Sequence, residues 1–173
     1  MKLVVFGLSL SSSWGNGHAT TYRALLRAFA ARGHDITFYE WDAPWYRGSH
    51  RDLASPDFAR LVLYRDWKTI RARALAEADE ADAVIVGSYV HNGAAIIDAL
   101  LERSTPVFFY DIDTPVTISR LRTGSIDYLR ADQVPGFARY LSFTGGPFLE
   151  QVVVGEFGAR SAVPLFCSVD IDN

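Results

Sequence analysis

The chain has 173 residues, 49% of them hydrophobic, with a formal net charge of −3 and an isoelectric point near 5.8. That is the length of one domain with apolar material for a core, which excludes a disordered chain, and the acidic balance gives no electrostatic case for a nucleic-acid partner. Cys167 is the single cysteine and no apolar run approaches the ~18 residues of a spanning helix, so the expectation is a cytoplasmic protein with neither an internal disulfide nor a transmembrane segment.

The first strand is read over residues 3–8, from the apolar run Leu3-Val4-Val5-Phe6. A loop of small residues follows and opens a helix over 18–32, where Tyr22, Leu25, Leu26 and Phe29 recur at spacings of three and four. Gly33 ends that helix. The second strand covers 36–40, and a long loop with Pro44, Gly48 and Pro56 covers 41–57. A third strand over 60–64 leads to an Ala-rich helix over 66–79. Strand four over 83–86 precedes a helix over about 92–102, and strand five over 106–110 precedes a short helix that starts near Pro115. Strand six over 140–143, a helix over 146–157 and strand seven over 162–166 complete the pattern. Alternation of this kind predicts an α/β fold: a doubly wound, Rossmann-like parallel sheet of about seven strands with helices on both faces.

Open sheets of this type bind ligands at the carboxyl ends of their strands, so the residues that follow each strand are the candidates. After strand one, Gly15, Asn16 and Gly17 leave backbone N–H groups uncovered at a helix N-terminus, which suits a phosphate. His18 stands in the first helical turn, where it could donate a proton or, when neutral, accept one. The plainer alternative is a tight turn with a polar first-turn histidine. The same residues approximate the dinucleotide fingerprint G-x-G-x-x-G, with Glu40 about twenty residues further on. Two features oppose that version: Thr20 stands where the third small residue belongs, and the loop from Gly7 to Gly17 is much longer than that motif's turn. No cofactor is therefore expected.

After strand five come Asp111, Ile112, Asp113, Thr114 and Pro115. Two carboxylates at a strand end are read as exposed to the crevice, where one could orient a sugar hydroxyl or assist proton movement. A helix-capping turn, a metal-binding D-x-D and the D-x-D-x-T signature of haloacid-dehalogenase-type phosphatases are the alternatives. Against the last, Pro115 stands where that signature has its threonine, and the strand is fifth, not first. Ser88 and Tyr89 after strand four, and Thr144, Gly145 and Gly146 after strand six, lie at the same edge. Trp41, Trp45, Tyr46 and Arg47 cluster after strand two, and aromatic faces with polar neighbours suit sugar rings, with Trp45 taken as the contact residue. His34, His50 and His91 have no ligand spacing with one another or with Cys167, so no metal site is expected.

Taken together, V-V-F-G-L-S-L-S-S-S-W-G-N-G-H-A-T-T-Y-R-A-L-L-R, V-I-V-G-S-Y-V, F-Y-D-I-D-T-P-V-T and Y-L-S-F-T-G-G-P resemble CgeB-type glycosyltransferases, relatives of spore-maturation proteins in the two-domain GT-B class. The resemblance spans essentially the whole chain and implies its N-terminal, acceptor-side domain, with residues 1–167 forming that domain. The segment Pro164-Leu165-Phe166-Cys167-Ser168-Val169-Asp170 resembles the crossover to a second domain, with Ser168 in place of the usual glycine, so 168–173 is read as its start. What the resemblance implies is transfer of a sugar from a nucleotide-sugar donor to an acceptor of unknown identity, generally without a metal. Within that pattern His18, Asp111 and Asp113 are the catalytic candidates. Gly15, Asn16, Gly17, Trp45, Ser88, Tyr89, Thr114, Gly145 and Gly146 are the substrate-binding candidates. A Rossmann-like binding module without catalysis, or a partner subunit that meets a separate donor domain, is the alternative.

Overall fold

The computed structural model of the protein describes residues 1–168. Seven parallel strands form one sheet in the order β3-β2-β1-β4-β5-β6-β7. They are β1 (Lys2–Gly7), β2 (Asp35–Trp41), β3 (Arg60–Tyr64), β4 (Ala83–Gly87), β5 (Val107–Asp111), β6 (Arg139–Ser142) and β7 (Ala162–Pro164). The order reverses between β1 and β4, so the connections that follow these two strands leave in opposite directions and open a crevice between them. This is the expected doubly wound architecture, and every expected strand is present within one or two residues of its limits.

Four α-helices cover the sheet: α1 (His18–Ala31), α2 (Trp67–Asp79), α3 (Gly93–Leu101) and α4 (Thr114–Thr123). Two cores follow from the alternation of side chains along the strands. On one face Val4, Phe6, Val84, Val86 and Phe109 pack against α2, α3 and α4. On the other, Val5, Ile36, Phe38 and Ile85 pack against Tyr22, Leu25 and Leu26 of α1. Beyond α1 this second face is more open, with Phe108 and Leu141 only half-buried beside a depression of about 300 Å³. Local chemistry sets the ends of the helices. Asp66 caps α2 by accepting the Lys68 N–H at 2.9 Å, and Gly33 closes α1 at φ +79°. Gly87 is compelled by packing, because a Cβ there would lie 1.8 Å from the Tyr22 hydroxyl.

Two expectations need correction. The segment after β6, read as an ordinary helix over 146–157, winds as a π-helical turn over Leu149–Val154. The Gly155 N–H bonds to the Glu150 carbonyl five residues back at 3.0 Å, and a Cβ at 155 would lie 2.6 Å from the Gln151 carbonyl, so glycine permits the wider turn. The loop 41–57 carries two 3-10 turns, Pro44–Tyr46 and Gly48–His50, and an unforeseen 3-10 turn spans Ala131–Gly136 around Pro135. Of the anticipated crossover 168–173, all but Ser168 lies outside the described residues. Among the described residues no helix is long and apolar enough to cross a membrane.

Candidate functional site

The crevice at the switch point is bounded by the N-terminus of α1, the end of β4 and the turn after β5. The loop before α1 is fixed from beneath by Glu40, which is fully buried at the end of β2. One carboxylate oxygen accepts the N–H groups of Leu10 and Ser11 at 2.6 and 2.8 Å, and the other accepts the Ser11 hydroxyl at 2.5 Å. Arg51 donates to that same hydroxyl. Glu40 is thus occupied in holding the loop and does not face a ribose, so the dinucleotide version of the motif fails on geometry as well as on spacing.

The loop then joins the segment after β2. Ser13 donates to Asp52 through its N–H and its hydroxyl, and Arg23 grips the same carboxylate at 2.7 and 3.0 Å. Arg23 first, and then Ser13, hold the Asp52 carboxyl well below the usual carboxylate range. The Asn16 amide donates to the Ser12 and Trp14 carbonyls and to the Tyr46 hydroxyl at 3.0 Å, and its oxygen accepts the Ala19 N–H at 3.2 Å. Asn16 therefore spends its side chain on shaping the loop. The N–H groups of Gly17, His18 and Thr20 make no hydrogen bond within the described residues. A Cβ at Gly17 meets nothing within 4 Å, so its approach side is open.

His18 is 6% exposed, and its Nδ1 has no partner among the described residues. Its Nε2 lies 3.6 Å from Asp113 Oδ2, too far for a direct hydrogen bond but close enough for one oxygen to touch both. Burial lowers the pKa of the imidazole against the opposing charge of Asp113, which favours the neutral, proton-accepting form. The Tyr89 ring stands edge-on to His18 with centroids 5.5 Å apart, and the Arg120 guanidinium lies 5.8 Å from the Tyr89 centroid. Tyr89 has φ +63°, a left-handed backbone that a bulky residue adopts only under constraint. Burial, followed by Asp113, raises the pKa of its hydroxyl. His18, Tyr89, Asp113 and Arg120 thus form one cluster across the switch point.

The remaining candidates separate by burial. The expected exposure of both acids holds for Asp113 alone, since Asp111 is fully buried. Tyr140 donates to its Oδ2 at 2.5 Å, Thr117 to its Oδ1 at 2.7 Å, and the Asp113 N–H to Oδ1 at 3.2 Å. Burial raises the Asp111 pKa to about 6 against the pull of these donors. So enclosed, Asp111 cannot present itself as a phosphatase nucleophile; it positions the turn that carries Asp113. Ser88 and Thr114 are also fully buried. Ser88 accepts the Ile112 N–H at 3.1 Å, and Thr114 pairs with the Ser142 hydroxyl at 2.6 Å. Both hold strand ends together and do not face a ligand.

Thr144, Gly145 and Gly146 lie further along the edge. Thr144 borders a cleft of about 520 Å³ whose other walls include Pro115, Ile118, Arg122 and Phe148. That cleft does not include His18 or Asp113 in its lining, so the titratable cluster and the cleft are neighbours, not one pocket. Trp45 is half exposed after β2. Among the described residues no three histidine, cysteine or acidic side chains group as a cation site. Sequence reasoning missed Arg120 and the anchoring role of Glu40. The second had a visible signal, an acid closing an apolar strand, that two chemistries explain equally well.

No known family model matches the sequence, and no curated protein matches it as a relative. The fold does match solved structures. One is an alpha-glucosyltransferase in complex with UDP, at TM-score 0.63 and 16% identity, covering 99% of this chain and 45% of that one. Another is an alpha-glucosyltransferase in complex with UDP-glucose and DNA containing an abasic site, at TM-score 0.64 and 19% identity, covering 99% and 43%. A third, in complex with UDP and a 13-mer DNA containing a HMU base, matches at TM-score 0.61 and 19% identity, again covering 99% and 43%. The chain spans less than half the length of these proteins. The seven-stranded parallel sheet is a Rossmann-like fold shared with part of these alpha-glucosyltransferases, and at such identities the likeness concerns fold alone.

Proposed function

We propose that this chain is the N-terminal, acceptor-side domain of a CgeB-type GT-B glycosyltransferase, which transfers a sugar from a nucleotide-sugar donor. Residues 1–167 form that domain and 168–173 begin the crossover to a donor domain. The observation that carries this reading is the open N-terminus of α1 beside the His18–Asp113 pair, on a fold shared with UDP-bound glucosyltransferases. Glycosyl transfer needs a positioned, deprotonating acceptor hydroxyl and stabilisation of the departing diphosphate. The free N–H groups of Gly17, His18 and Thr20 supply donors for an anion. A hydroxyl oxygen bridging His18 and Asp113 from beside the pair would meet a neutral imidazole as base and a carboxylate that stabilises the imidazolium. No step in this scheme needs a metal. The DNA in two of the matched structures removes the exclusion of nucleic acid that the net charge suggests, so the acceptor is defined by experiment and not by pI.

The test is an amide NMR titration of the 173-residue chain with UDP. The expected result is saturable shifts at Gly17, His18 and Thr20. Gly17→Val should abolish them while unfolding within about 1 kcal/mol of the parent, because the valine side chain enters open space. Unperturbed amides at these three positions would reduce the loop to a turn.

A further inference from the structure

Two of the exposed large apolar side chains of this protein, Trp14 and Trp45, stand in the loops after β1 and after β2, which form one wall at the carboxyl edge of the sheet. They are 52% and 51% exposed, in loops that the Asn16–Tyr46 hydrogen bond ties together. Trp14 stacks on His50 with centroids 4.4 Å apart and planes 26° apart, which backs one face of the indole with a ring. Trp45 meets Trp41 at 71° and Tyr46 at 70°, so neither neighbour lies parallel against it. Trp41 is itself stacked on His91 at 4.0 Å. The rings thus support one another from behind and leave indole surface towards solvent.

The wall is also rigid. Ser12 donates to the His50 carbonyl at 2.5 Å, the Leu53 N–H bonds to the Ser11 carbonyl at 3.0 Å, and Ser13, Arg23 and Asp52 form a closed set. Rings held in place cost little ordering when a ligand stacks on them. The charges point to the ligand class. Arg23 pairs with Asp52, Arg47 and Arg65 pair with Asp42, and Arg51 pairs with Asp42 and Glu40. Each of these four arginines is engaged by a carboxylate of the wall, three of them sharing Asp42, so their guanidinium groups are already partnered before a ligand arrives. An exposed, ring-backed indole surface with internally paired polar neighbours suits a neutral ligand that has one apolar face and a hydroxylated rim, as a pyranose ring does.

The geometry points to a saccharide-binding platform on Trp14 and Trp45 that seats a neutral sugar ring beside the N-terminus of α1. Its role as the acceptor subsite rests on the transferase reading above; the binding itself does not. Trp14 directly precedes Gly15, so a sugar on this platform adjoins the loop proposed for the diphosphate.

The experiment follows the indole N–H signals of the four tryptophans in the 173-residue chain, without nucleotide, as maltose, cellobiose or chitobiose is added to tens of millimolar. The expected result is saturable shifts of Trp14 and Trp45, with buried Trp67 unmoved. Trp45→Ala and, separately, Trp14→Ala should each weaken binding about tenfold or more, as loss of a stacking anchor does. Because each ring is half exposed, a folding failure in one variant leaves the other to decide. Absence of any shift at both indoles with all three sugars overturns the platform. So does a single-stranded oligothymidine that shifts both while the sugars do not, which makes the wall a nucleobase platform. Sugar binding with no response to UDP spares the platform and removes the anion-site observation on which the transferase reading rests; a UDP response without sugar binding overturns the platform and leaves that observation standing.

Discussion

The two halves of the carboxyl edge are held by different chemistry. On the β1–β2 side, buried Glu40 takes two backbone N–H groups and a hydroxyl, and Asp52 is locked between Arg23 and Ser13. On the β5–β6 side, past the buried Asp111 that accepts from Tyr140 of β6, the ties are neutral: Thr114 to Ser142 at 2.6 Å, Ser142 to Thr144 at 2.9 Å, and then Gly145, Gly146 and the π-turn. A charged anchor is strong while complete and costly when one partner is lost, because the rest is left buried and unsatisfied. Hydroxyl chains and glycines lose less. The first half therefore suits a fixed wall, and the second suits a side that tolerates change.

The largest effect should come from Glu40→Ala. It strands the Leu10 and Ser11 N–H groups and the Ser11 hydroxyl, for a loss of roughly 3–5 kcal/mol, on the order of 10 °C in melting temperature for a chain of this size. A calorimetric scan decides it, and a loss within 1 °C would place the anchor elsewhere.

A middle-sized effect belongs to Asp111, the acid where β5 ends between the two halves. Its folded pKa is raised to about 6 from 3.8, so the folded protein binds this proton more tightly than the unfolded chain does. The stability it contributes is complete below about pH 4 and is lost as pH rises through about 6, up to roughly 3 kcal/mol. Asp111→Asn keeps the shape and removes the titration. The melting temperature of the parent, measured against that of Asp111→Asn, should fall between pH 4 and pH 7; parallel curves would mean that Asp111 ionises as freely folded as unfolded.

Gly145→Ala should have the smallest effect. The new Cβ would sit 3.3 Å from the tip of the Phe166 ring, whose side chain is 63% exposed and free to give. A change within about 0.5 kcal/mol is expected from urea unfolding. A loss comparable to that of Glu40→Ala would erase the distinction between the two halves.

The sheet was legible because doubly covered parallel strands are written as apolar runs, and Gly33 and Pro115 mark helix ends through backbone chemistry that acts locally. The cluster was half legible. That His18 and Asp113 share an edge follows from strand ends, since the topology brings the ends of β1 and β5 to one side. That Asp111 is enclosed while Asp113 is open does not follow, because it depends on Tyr140, Thr117 and Tyr128 arriving from elsewhere in the chain. Ser88 and Thr114 carry hydroxyls that serve ligands and strand ends equally well, so sequence alone cannot assign them. The π-turn escaped for a related reason: its cause is a single backbone approach at Gly155, and glycine is silent about which approach it permits.

The contact between Gly87 and Tyr22 carries a consequence for the history of the sequence. The Tyr22 hydroxyl occupies the space of a side chain at 87 and has no hydrogen-bond partner among the described residues. That oxygen thus excludes a methyl group without repaying its own desolvation. Phenylalanine at 22 would remove the oxygen and leave the ring carbon 3.1 Å from a Cβ at 87, a distance that a small shift relieves. Position 22 is therefore free to change alone, whereas 87 can gain a side chain only once tyrosine has left 22. Among homologues, alanine at 87 should occur with phenylalanine or a smaller residue at 22, and tyrosine at 22 should occur with glycine at 87.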